Sequence, residues 1–500
     1  MSAVEAYAKL EARFHRLGAL GEASDLLNWD LATVMPPESG EARGQQLAAL
    51  ELTRHELLLE PAVAAWLDQA EAANDGLDDW QRANLREMRR RHRRASALEP
   101  RLVEALALAR QRSEALWRQA RPRSDFALIK DSFSAVLALL REAAEAKAAV
   151  LGLSPYEALM ADYESGFSGQ RIATLLAELE ARLPSLLAAI VEQQRQQPAI
   201  LPLEGPFPAA AQESLARRVM TLVGFDFQRG RLDRSLHPFS GGTPDDLRIT
   251  TRYEEEDFSR ALMAVLHETG HALYDRGLPA RWRRQPVGEP RSMAVHESQS
   301  LLIEMQAGRS PAFLAFLAPL AAAAFGRSGP AWSTDNVRRI YHRVGPSLIR
   351  VDADEVTYPL HVILRWRLER ALLAGDLPPA DLPGAWNDGM EQLLGIRPPN
   401  DRLGCLQDIH WYDASIGYFP TYTLGALAAA QLFAAALAAR PEIPAALGRG
   451  DFRPLLEWLG QTVHSKASSR QSDEIVAEAT GKPLGTEAFL AHLEGRYLTG

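Results

Sequence analysis

His267, Glu268 and His271 form an HExxH pattern. On a helix, residues four apart lie on one face, one turn from each other. Two imidazoles in that arrangement can bind one zinc ion, and the glutamate between them can act on a water at the metal. The flanking residues are mostly apolar, which favours a buried helix, where charged side chains are costly unless something compensates for their burial. A chance match on a solvated helix face remains the alternative, because so short a pattern also occurs by accident.

A catalytic zinc site also needs a third protein ligand. The metzincin extension of the motif would place glycine at position 274 and histidine at position 277, but this chain has Tyr274 and Gly277, so that branch is excluded. The remaining pattern takes a glutamate from a following helix. Glu289 is one candidate, but it lies in a proline-flanked loop that would hold a ligand less rigidly.

Glu297 is the preferred third ligand, because it lies thirty residues after His267, near the start of the next predicted helix. Glu304, two turns further along the same face, is the alternative. His296 points about 100° away from Glu297 on a helix, so only one of the two can face the metal. We therefore expect His296 to line the site or to orient a ligand.

The elements that position these residues are predicted to be helices almost throughout. Residues 4–204 have helical periodicity and composition, with breaks that indicate six to eight helices. The motif helix is expected to end at Gly277 and Pro279, and the next to begin near Ser292. Residues 247–253 are the best strand candidate. That strand could offer a free edge to an extended peptide, and a purely structural hairpin is the alternative.

Composition limits the class of protein. The 500 residues are 47% hydrophobic and 24% charged, with a formal net charge of −9, which argues against nucleic acid as a partner. The basic run at 86–94 is interpreted as a solvated helix face. Cys405 is the only cysteine, and neither a secretory signal nor a transmembrane span is evident, so we expect a cytoplasmic protein without a membrane partner. We predict one peptidase domain over 1–500, with a helical part at 1–204 that includes lid-like helices and a catalytic part at 205–500.

Further motifs surround HExxH in a fixed order. They are His237-Pro-Phe, Asp246-x-Arg248-x-Thr250, His296-Glu297-Ser298, Ile349-Arg350-x-x-Ala353-Asp354 and Gly404-x-x-Gln407-Asp408-x-His410-Trp411. Together they resemble the thermostable (Taq-type) metallocarboxypeptidase family, and segments at 28–30, 35–37 and 417–422 extend the resemblance along the whole chain. Six motifs in order are far more specific than HExxH alone.

The resemblance implies an all-α fold, a single helical body split by a long deep groove, similar to neurolysin and angiotensin-converting enzyme. It implies one Zn²⁺, replaceable by Co²⁺, held by His267, His271 and Glu297. The activity would be release of C-terminal residues one at a time from peptides with a free C-terminal carboxylate, with broad specificity but poor release of proline. The family is typically homodimeric.

A mechanism follows as a hypothesis. Glu268 would act as general base on the zinc-bound water that attacks the scissile carbonyl, and then pass the proton to the leaving amine. The resemblance to the groove enzymes, together with their loop setting, makes His410 and Tyr422 the candidate donors to the oxyanion. An exopeptidase must also bind a free carboxylate, for which a bidentate arginine is best suited. Arg350 is the first choice.

Arg397 and Arg402 are the further arginine candidates. For any of the three, a structural salt bridge with Asp352, Asp354 or Asp401 is the alternative role. His237, Asp246 and Arg248 are additional candidates for substrate binding, although Asp246 and Arg248 could instead be structural partners of each other.

Three other functions remain open at this stage. A metallo-oligopeptidase that cuts short peptides internally would use the same zinc residues. A non-catalytic peptide-binding protein is disfavoured because Glu268 is present, and a non-peptide amidase is a weaker possibility.

Overall fold

The computed structural model describes residues 2–72 and 74–499, and helices dominate it, as predicted. Eight α-helices lie in the described part of the first 204 residues, at the upper end of the predicted number. They are α1 (Ala3–Thr33), α2 (Gly40–Leu59), α3 (Pro61–Ala72), α4 (Asp79–Ser96), α5 (Pro100–Arg123), α6 (Ala127–Leu151), α7 (Pro155–Met160) and α8 (Gly169–Arg195).

The second part of the chain contains the remaining helices and a small sheet. Its elements are α9 (Ala209–Val223), β1 (Gly230–Arg234), β2 (Phe239–Thr243), β3 (Asp246–Thr251), α10 (Phe258–Gly277), α11 (Met293–Leu301), a π-helical segment (Leu302–Gly308), α12 (Pro311–Ala324), α13 (Thr334–Tyr341), α14 (Tyr358–Ala374), α15 (Leu382–Leu394), α16 (Pro420–Ala439), α17 (Ile443–Leu447), α18 (Arg453–Thr462), α19 (Ser472–Thr480) and α20 (Glu487–Tyr497). The motif helix ends at Gly277 and the next begins after Ser292, as predicted.

The sheet corrects one prediction. The strand predicted at 247–253 exists as β3, but the strand order is β1-β3-β2, with β1 parallel and β2 antiparallel to β3. Because both edges of β3 are already paired, this strand cannot offer a free edge to a peptide. The flanking strands were missed because β1 is mostly charged and β2 is rich in glycine, and such residues give a weak strand signal.

The core consists of two large apolar clusters, and α16 belongs to both. Leu424 and Leu427 pack in the cluster built on α6, α8, α14 and α15, whereas Leu432 packs in the cluster built on α9, α10, α12 and α18. Among the described helices only α16 is long and apolar enough by itself to cross a membrane, and half of its apolar window is buried within the protein. A bent pair, 286–308 with 311–324, passes the same test jointly.

Helices α1–α4 share a smaller core of their own and dock on the catalytic part through buried polar contacts. Glu87 of α4 accepts a hydrogen bond at 2.7 Å from Arg291, and the two side chains are 6% and 1% exposed. Burial alone would raise the pKa of Glu87, but the charges of Arg291 and Arg90 outweigh it and lower that pKa. Asn84 also donates to Gln285 across the same contact.

The basic run at 86–94 lies on α4, and four of its six arginines pair with acids: Arg89 with Asp68 and Glu71, Arg90 with Glu87, Arg91 with Glu289, and Arg94 with Asp162. Most of the positive charge of the run is thus neutralised by acidic side chains of the same chain. The division into a lid-like part and a catalytic part within one domain stays a prediction.

Replacing Glu87 by alanine should lower the free energy of unfolding by about 3–5 kcal/mol, because Arg291 would be left buried without a counter-charge. Denaturant unfolding followed by tryptophan fluorescence measures this. Since the pKa of Glu87 is lowered on folding, its contribution is complete above its ordinary value of 4.5 and should disappear as the pH falls below that value.

The matched control is Glu51→Ala. Glu51 is 72% exposed and pairs only with Arg54 one turn away, so its removal should change the free energy of unfolding by roughly 0.5 kcal/mol or less. Equal losses in the two variants would contradict a docking role for the Glu87–Arg291 pair.

Candidate active site

Helix α10 presents both motif histidines on one face. The Asp257 side chain caps its start by accepting a hydrogen bond from the Ser259 amide at 2.8 Å. Four residues apart, His267 and His271 have ring centroids 4.9 Å apart with the rings nearly perpendicular. The helix is buried on most sides; the side chain of His271 is 11% exposed and that of His267 is 22% exposed. This is the placement that the HExxH spacing predicted.

Glu297 of α11 completes the cluster. Its Oε2 lies 3.6 Å from Nε2 of His267 and 3.3 Å from Nε2 of His271. One ligand atom from each of the three residues lies within 4.8 Å of the other two. Ligands about 2.0–2.2 Å from a tetrahedral zinc would be separated by distances of this size. The donor set of two imidazoles and a carboxylate therefore fits a metal.

Two glycines allow the helices to come close enough. A Cβ at Gly270 of α10 would lie 2.6 Å from the carbonyl oxygen of Gln299 on α11. A Cβ at Gly425 of α16 would lie 2.8 Å from both Cβ and Cγ of Glu297. Helix α11 is thus held between α10 and α16 at backbone-contact distance. Its start is fixed by Ser292, whose hydroxyl accepts from the Val295 amide.

Glu304, the alternative third ligand, contacts His267 from the other side. Its Oε2 lies 3.0 Å from Nδ1 of His267, and its Oε1 accepts from Arg309 at 2.6 Å. It lies in the π-helical segment that follows α11, a widened turn of the kind that is frequent at functional sites. A carboxylate on the second ring nitrogen fixes the orientation and tautomer of a metal-binding histidine. Glu289 is paired with Arg91 instead.

Glu268 points into the same region, and burial raises its pKa to about 7. Within residues 2–72 and 74–499 its carboxylate has no hydrogen-bond partner, which leaves it available to a water. His296 stacks on His271 with centroids 4.3 Å apart, and its Nε2 lies 3.0 Å from Asp275. His296 therefore lies beside the cluster and outside the set of three that could hold a metal, and its role at the site stays a prediction.

A second cluster of polar aromatic side chains contains His410 and Tyr422. The Tyr422 hydroxyl lies 3.4 Å from Nε2 of His410. Burial lowers the pKa of His410 to about 4 and raises the pKa of Tyr422. Tyr418 packs edge-on against Tyr422 with centroids 5.2 Å apart. At neutral pH this cluster offers an uncharged imidazole and protonated phenols.

Arg350 lies next to this cluster and is almost fully buried. Its Nη2 donates to Asp408 at 2.7 Å, its Nη1 donates to the Tyr358 hydroxyl, and its guanidinium stacks 5.0 Å from the centre of the Tyr422 ring. Its acidic partner is thus Asp408, rather than Asp352, Asp354 or Asp401. Arg365, which is fully buried, binds the other oxygen of Asp408. The two guanidinium charges and their hydrogen bonds outweigh burial and lower the pKa of Asp408.

Other predicted site residues lie away from these contacts. Asp246 and Arg248 bind each other at 2.8 Å, the structural pairing already considered. His237 is exposed in the turn between β1 and β2. Arg397 is exposed and pairs with Asp388 and Glu391, and Arg402 is exposed. Within the described residues, none of them contacts the His/His/Glu cluster. Their assigned roles stay predictions.

Sequence reasoning missed three residues at the site. Asp275, which orients His296, lies four residues after His271 and so continues the same helix face. The sequence therefore contained a signal for this residue. Tyr418 lies four residues before Tyr422, within the segment 417–422 that carries part of the family resemblance. Arg365 gave no local signal, because its partner Asp408 is distant in the sequence.

Comparisons with known proteins agree with this geometry. A profile described as Carboxypeptidase Taq (M32) metallopeptidase matches residues 9–497. Thermostable carboxypeptidase 1 of Thermus thermophilus is 38% identical over 492 residues, covering 96% of this chain and 95% of that protein. Carboxypeptidase 1 of Bacillus subtilis is 32% identical over 486 residues, 96% of either chain. The structure of Trypanosoma cruzi metallocarboxypeptidase 1 matches with a TM-score of 0.97 at 40% identity, over 99% of both chains.

The helical fold and the His/His/Glu cluster beside a buried glutamate define a metallopeptidase. The chain belongs to the Carboxypeptidase Taq (M32) metallopeptidase family. It is accordingly a metallocarboxypeptidase, a hydrolase with a metal cofactor.

Replacing Gly425 by alanine should weaken metal binding by about 10- to 100-fold, because the new methyl group would displace Glu297 from the histidines. Competition with a chromophoric chelator measures the dissociation constant. Gly460→Ala in α18 is the control, because nothing lies within 4 Å of its Cβ position. Unchanged affinity in Gly425→Ala would contradict the close-packing argument.

Proposed function

We propose that this metallocarboxypeptidase is zinc-dependent and releases C-terminal residues one at a time from peptides, with Glu268 as general base. The observation that carries the proposal is the convergence of His267, His271 and Glu297 beside the unpaired carboxylate of Glu268. Nitrogen and oxygen donors in a set of three, with a further position left for water, suit catalytic zinc. Cobalt accepts the same donors and is expected to substitute.

The chemistry is divided between the metal and the chain. A bound divalent metal polarises the scissile carbonyl and lowers the pKa of a water. Glu268 takes a proton from the attacking water while the oxygen of that water adds to the carbonyl carbon. It then delivers that proton to the amine nitrogen as the C–N bond breaks, so the products are a shortened peptide and a free amino acid. Burial raises the pKa of Glu268 above its ordinary value, which suits a group that must both accept and return a proton at neutral pH.

His410 and Tyr422 are proposed as donors to the oxyanion that forms on the carbonyl oxygen. Burial keeps the imidazole neutral and the phenol protonated. Neutral, buried donors held in place before the reaction stabilise developing negative charge strongly, because little reorganisation is needed.

Arg350 is proposed to bind the C-terminal carboxylate of the peptide. The guanidinium has five N–H hydrogens. The N–H hydrogens of Arg350 that do not bind Asp408 or Tyr358 lie on its two terminal nitrogens and are proposed to bind the carboxylate. Because Asp408 also binds Arg365, Arg350 is held rigidly, which lowers the entropic cost of binding a carboxylate.

Several expectations complete the proposal. The relatives above carry the name carboxypeptidase, which favours release from the C-terminus over internal cutting. Poor release of proline, a long substrate groove, a homodimeric state and a cytoplasmic location follow from the family resemblance and are proposed with it.

Glu268→Gln should bind zinc normally but lose turnover by several orders of magnitude, because the amide cannot accept the proton from water. Mass spectrometry of an N-terminally blocked peptide follows the reaction. The parent enzyme should give a ladder of products that lack one, then further C-terminal residues. Near-normal turnover in the variant would rule out the general-base role, and internal fragments from the parent would favour the oligopeptidase.

Arg350→Ala should raise KM for peptides with a free C-terminus by about 10- to 100-fold, because a charge-assisted hydrogen bond is lost. C-terminally amidated peptides should be affected much less. Arg397→Ala, at an exposed ion pair, is the control and should leave both values unchanged. Equal effects of Arg350→Ala on the two kinds of peptide would indicate a structural arginine.

A further inference from the structure

A buried carboxylate outside the metal cluster receives hydrogen bonds from three separate segments. Glu369 of α14 has no exposed surface. The Tyr156 hydroxyl, on α7, donates to its Oε2 at 2.8 Å, and the Trp411 indole donates to its Oε1 at 2.9 Å. The main-chain amide of Gly417 donates to Oε2 at 3.2 Å. Glu369 therefore connects α7, α14 and the loop at 411–417.

Glu369 lacks the counter-charge that a buried carboxylate usually has. Among the described residues, no lysine, arginine or histidine forms a salt bridge with it, and burial raises its pKa to about 7. An apolar side chain of similar volume would fill the space without the cost of desolvating a carboxyl group. The three neutral donors indicate that the carboxylate is used to hold the segments that supply them.

The loop that Glu369 holds joins the two proposed oxyanion donors. Trp411 directly follows His410, and Gly417 lies five residues before Tyr422. Gly417 has a φ of +92°, and a Cβ there would lie 2.8 Å from Cα of Met160 at the end of α7. The loop is thus seated closely on the helix that also carries the Tyr156 hydroxyl.

The same face of α14 holds the chain on the other side of His410. Arg365, one turn before Glu369, donates to Gln407 at 2.8 Å and to Asp408 at 2.7 Å. His410 therefore lies between two anchors on one helix, Arg365 before it and Glu369 after it. The histidine itself has an unpaired buried Nδ1, so its own hydrogen bonds do little to fix the ring.

We propose that Glu369 is a positioning residue, whose carboxylate fixes the 411–417 loop so that His410 and Tyr422 keep the geometry needed to stabilise the transition state. This inference rests on the proposed donor roles of His410 and Tyr422. Glu369 itself contacts neither the metal cluster nor the substrate.

Glu369→Gln tests the inference, because the amide keeps the volume but presents N–H groups where a donor already points. We expect kcat for a free-carboxylate peptide to fall about 10- to 100-fold, since small misplacements of catalytic groups have effects of that size. KM should stay within about twofold, because Arg350 is held by other contacts, and zinc content should be unchanged. A kcat within about twofold of the parent value would overturn the inference.

Two further variants separate positioning from loss of stability. Tyr156→Phe removes one of the three hydrogen bonds and should lower kcat about fivefold, so it serves if Glu369→Gln does not fold. Leu67→Ala, in the α1–α4 core, removes a fully buried side chain far along the sequence from the loop. It should lower the unfolding midpoint without lowering kcat at assay temperature. A comparable kcat loss in Leu67→Ala would mean that the Glu369 effect is general destabilisation.

A variant cycle identifies the groups through which Glu369 acts. In a His410→Ala/Tyr422→Phe background, adding Glu369→Gln should lower kcat by less than about twofold, because residues that act as a unit are not additive. If Glu369→Gln instead lowers kcat by the same factor in this background as in the parent enzyme, the inference is overturned while the donor roles of His410 and Tyr422 stand. If the His410→Ala/Tyr422→Phe variant itself keeps normal kcat, the donor roles fail and the positioning role fails with them.

Discussion

The site depends on three helices that approach at backbone-contact distance. Gly270 lets α10 meet α11, and Gly425 lets α16 lie against Glu297. Without both contacts the glutamate could not come within 3.3 Å of His271. Once it is there, three polar side chains are largely withdrawn from water, where each needs a partner or a metal. Glu304 answers part of that need by binding Nδ1 of His267 from outside the cluster, whereas Nδ1 of His271 has no partner among the described residues.

Helix α16 joins the two halves of the catalytic apparatus. Tyr422 and Gly425 are three residues apart in its first turns, so the face that admits Glu297 also carries a proposed oxyanion donor. The same helix contributes to both large apolar clusters. Its alanine-rich composition, which resembles that of a membrane span, suits a helix packed closely on several neighbours. The distance between metal ligands and donors is therefore set by the core itself.

Local spacing predicted those parts of the site that lie on single helices. The HExxH face, the C-terminal end of α10, the start of α11 and the choice of Glu297 all follow from periodicity, capping and helix length. Partners distant in the sequence could not be inferred in this way. Asp408 was not among the acids considered for Arg350, and the central position of β3 depends on two strands whose own residues give little signal. Pairing of that kind is decided by tertiary packing, which no local pattern records.

Arg291, which forms the buried ion pair with Glu87, directly precedes Ser292 in the chain. Ser292 caps α11, the helix that supplies Glu297. If this adjacency couples the position of α11 to the seating of α1–α4, the coupling acts equally in both directions, because coupling free energies are reciprocal. A metal ion held by Glu297 would then also stabilise the seating of α1–α4, although none of the described residues of these helices belongs to the His/His/Glu cluster. Loss of the Glu87–Arg291 contact would, through this coupling, change affinity for the ion from a distance.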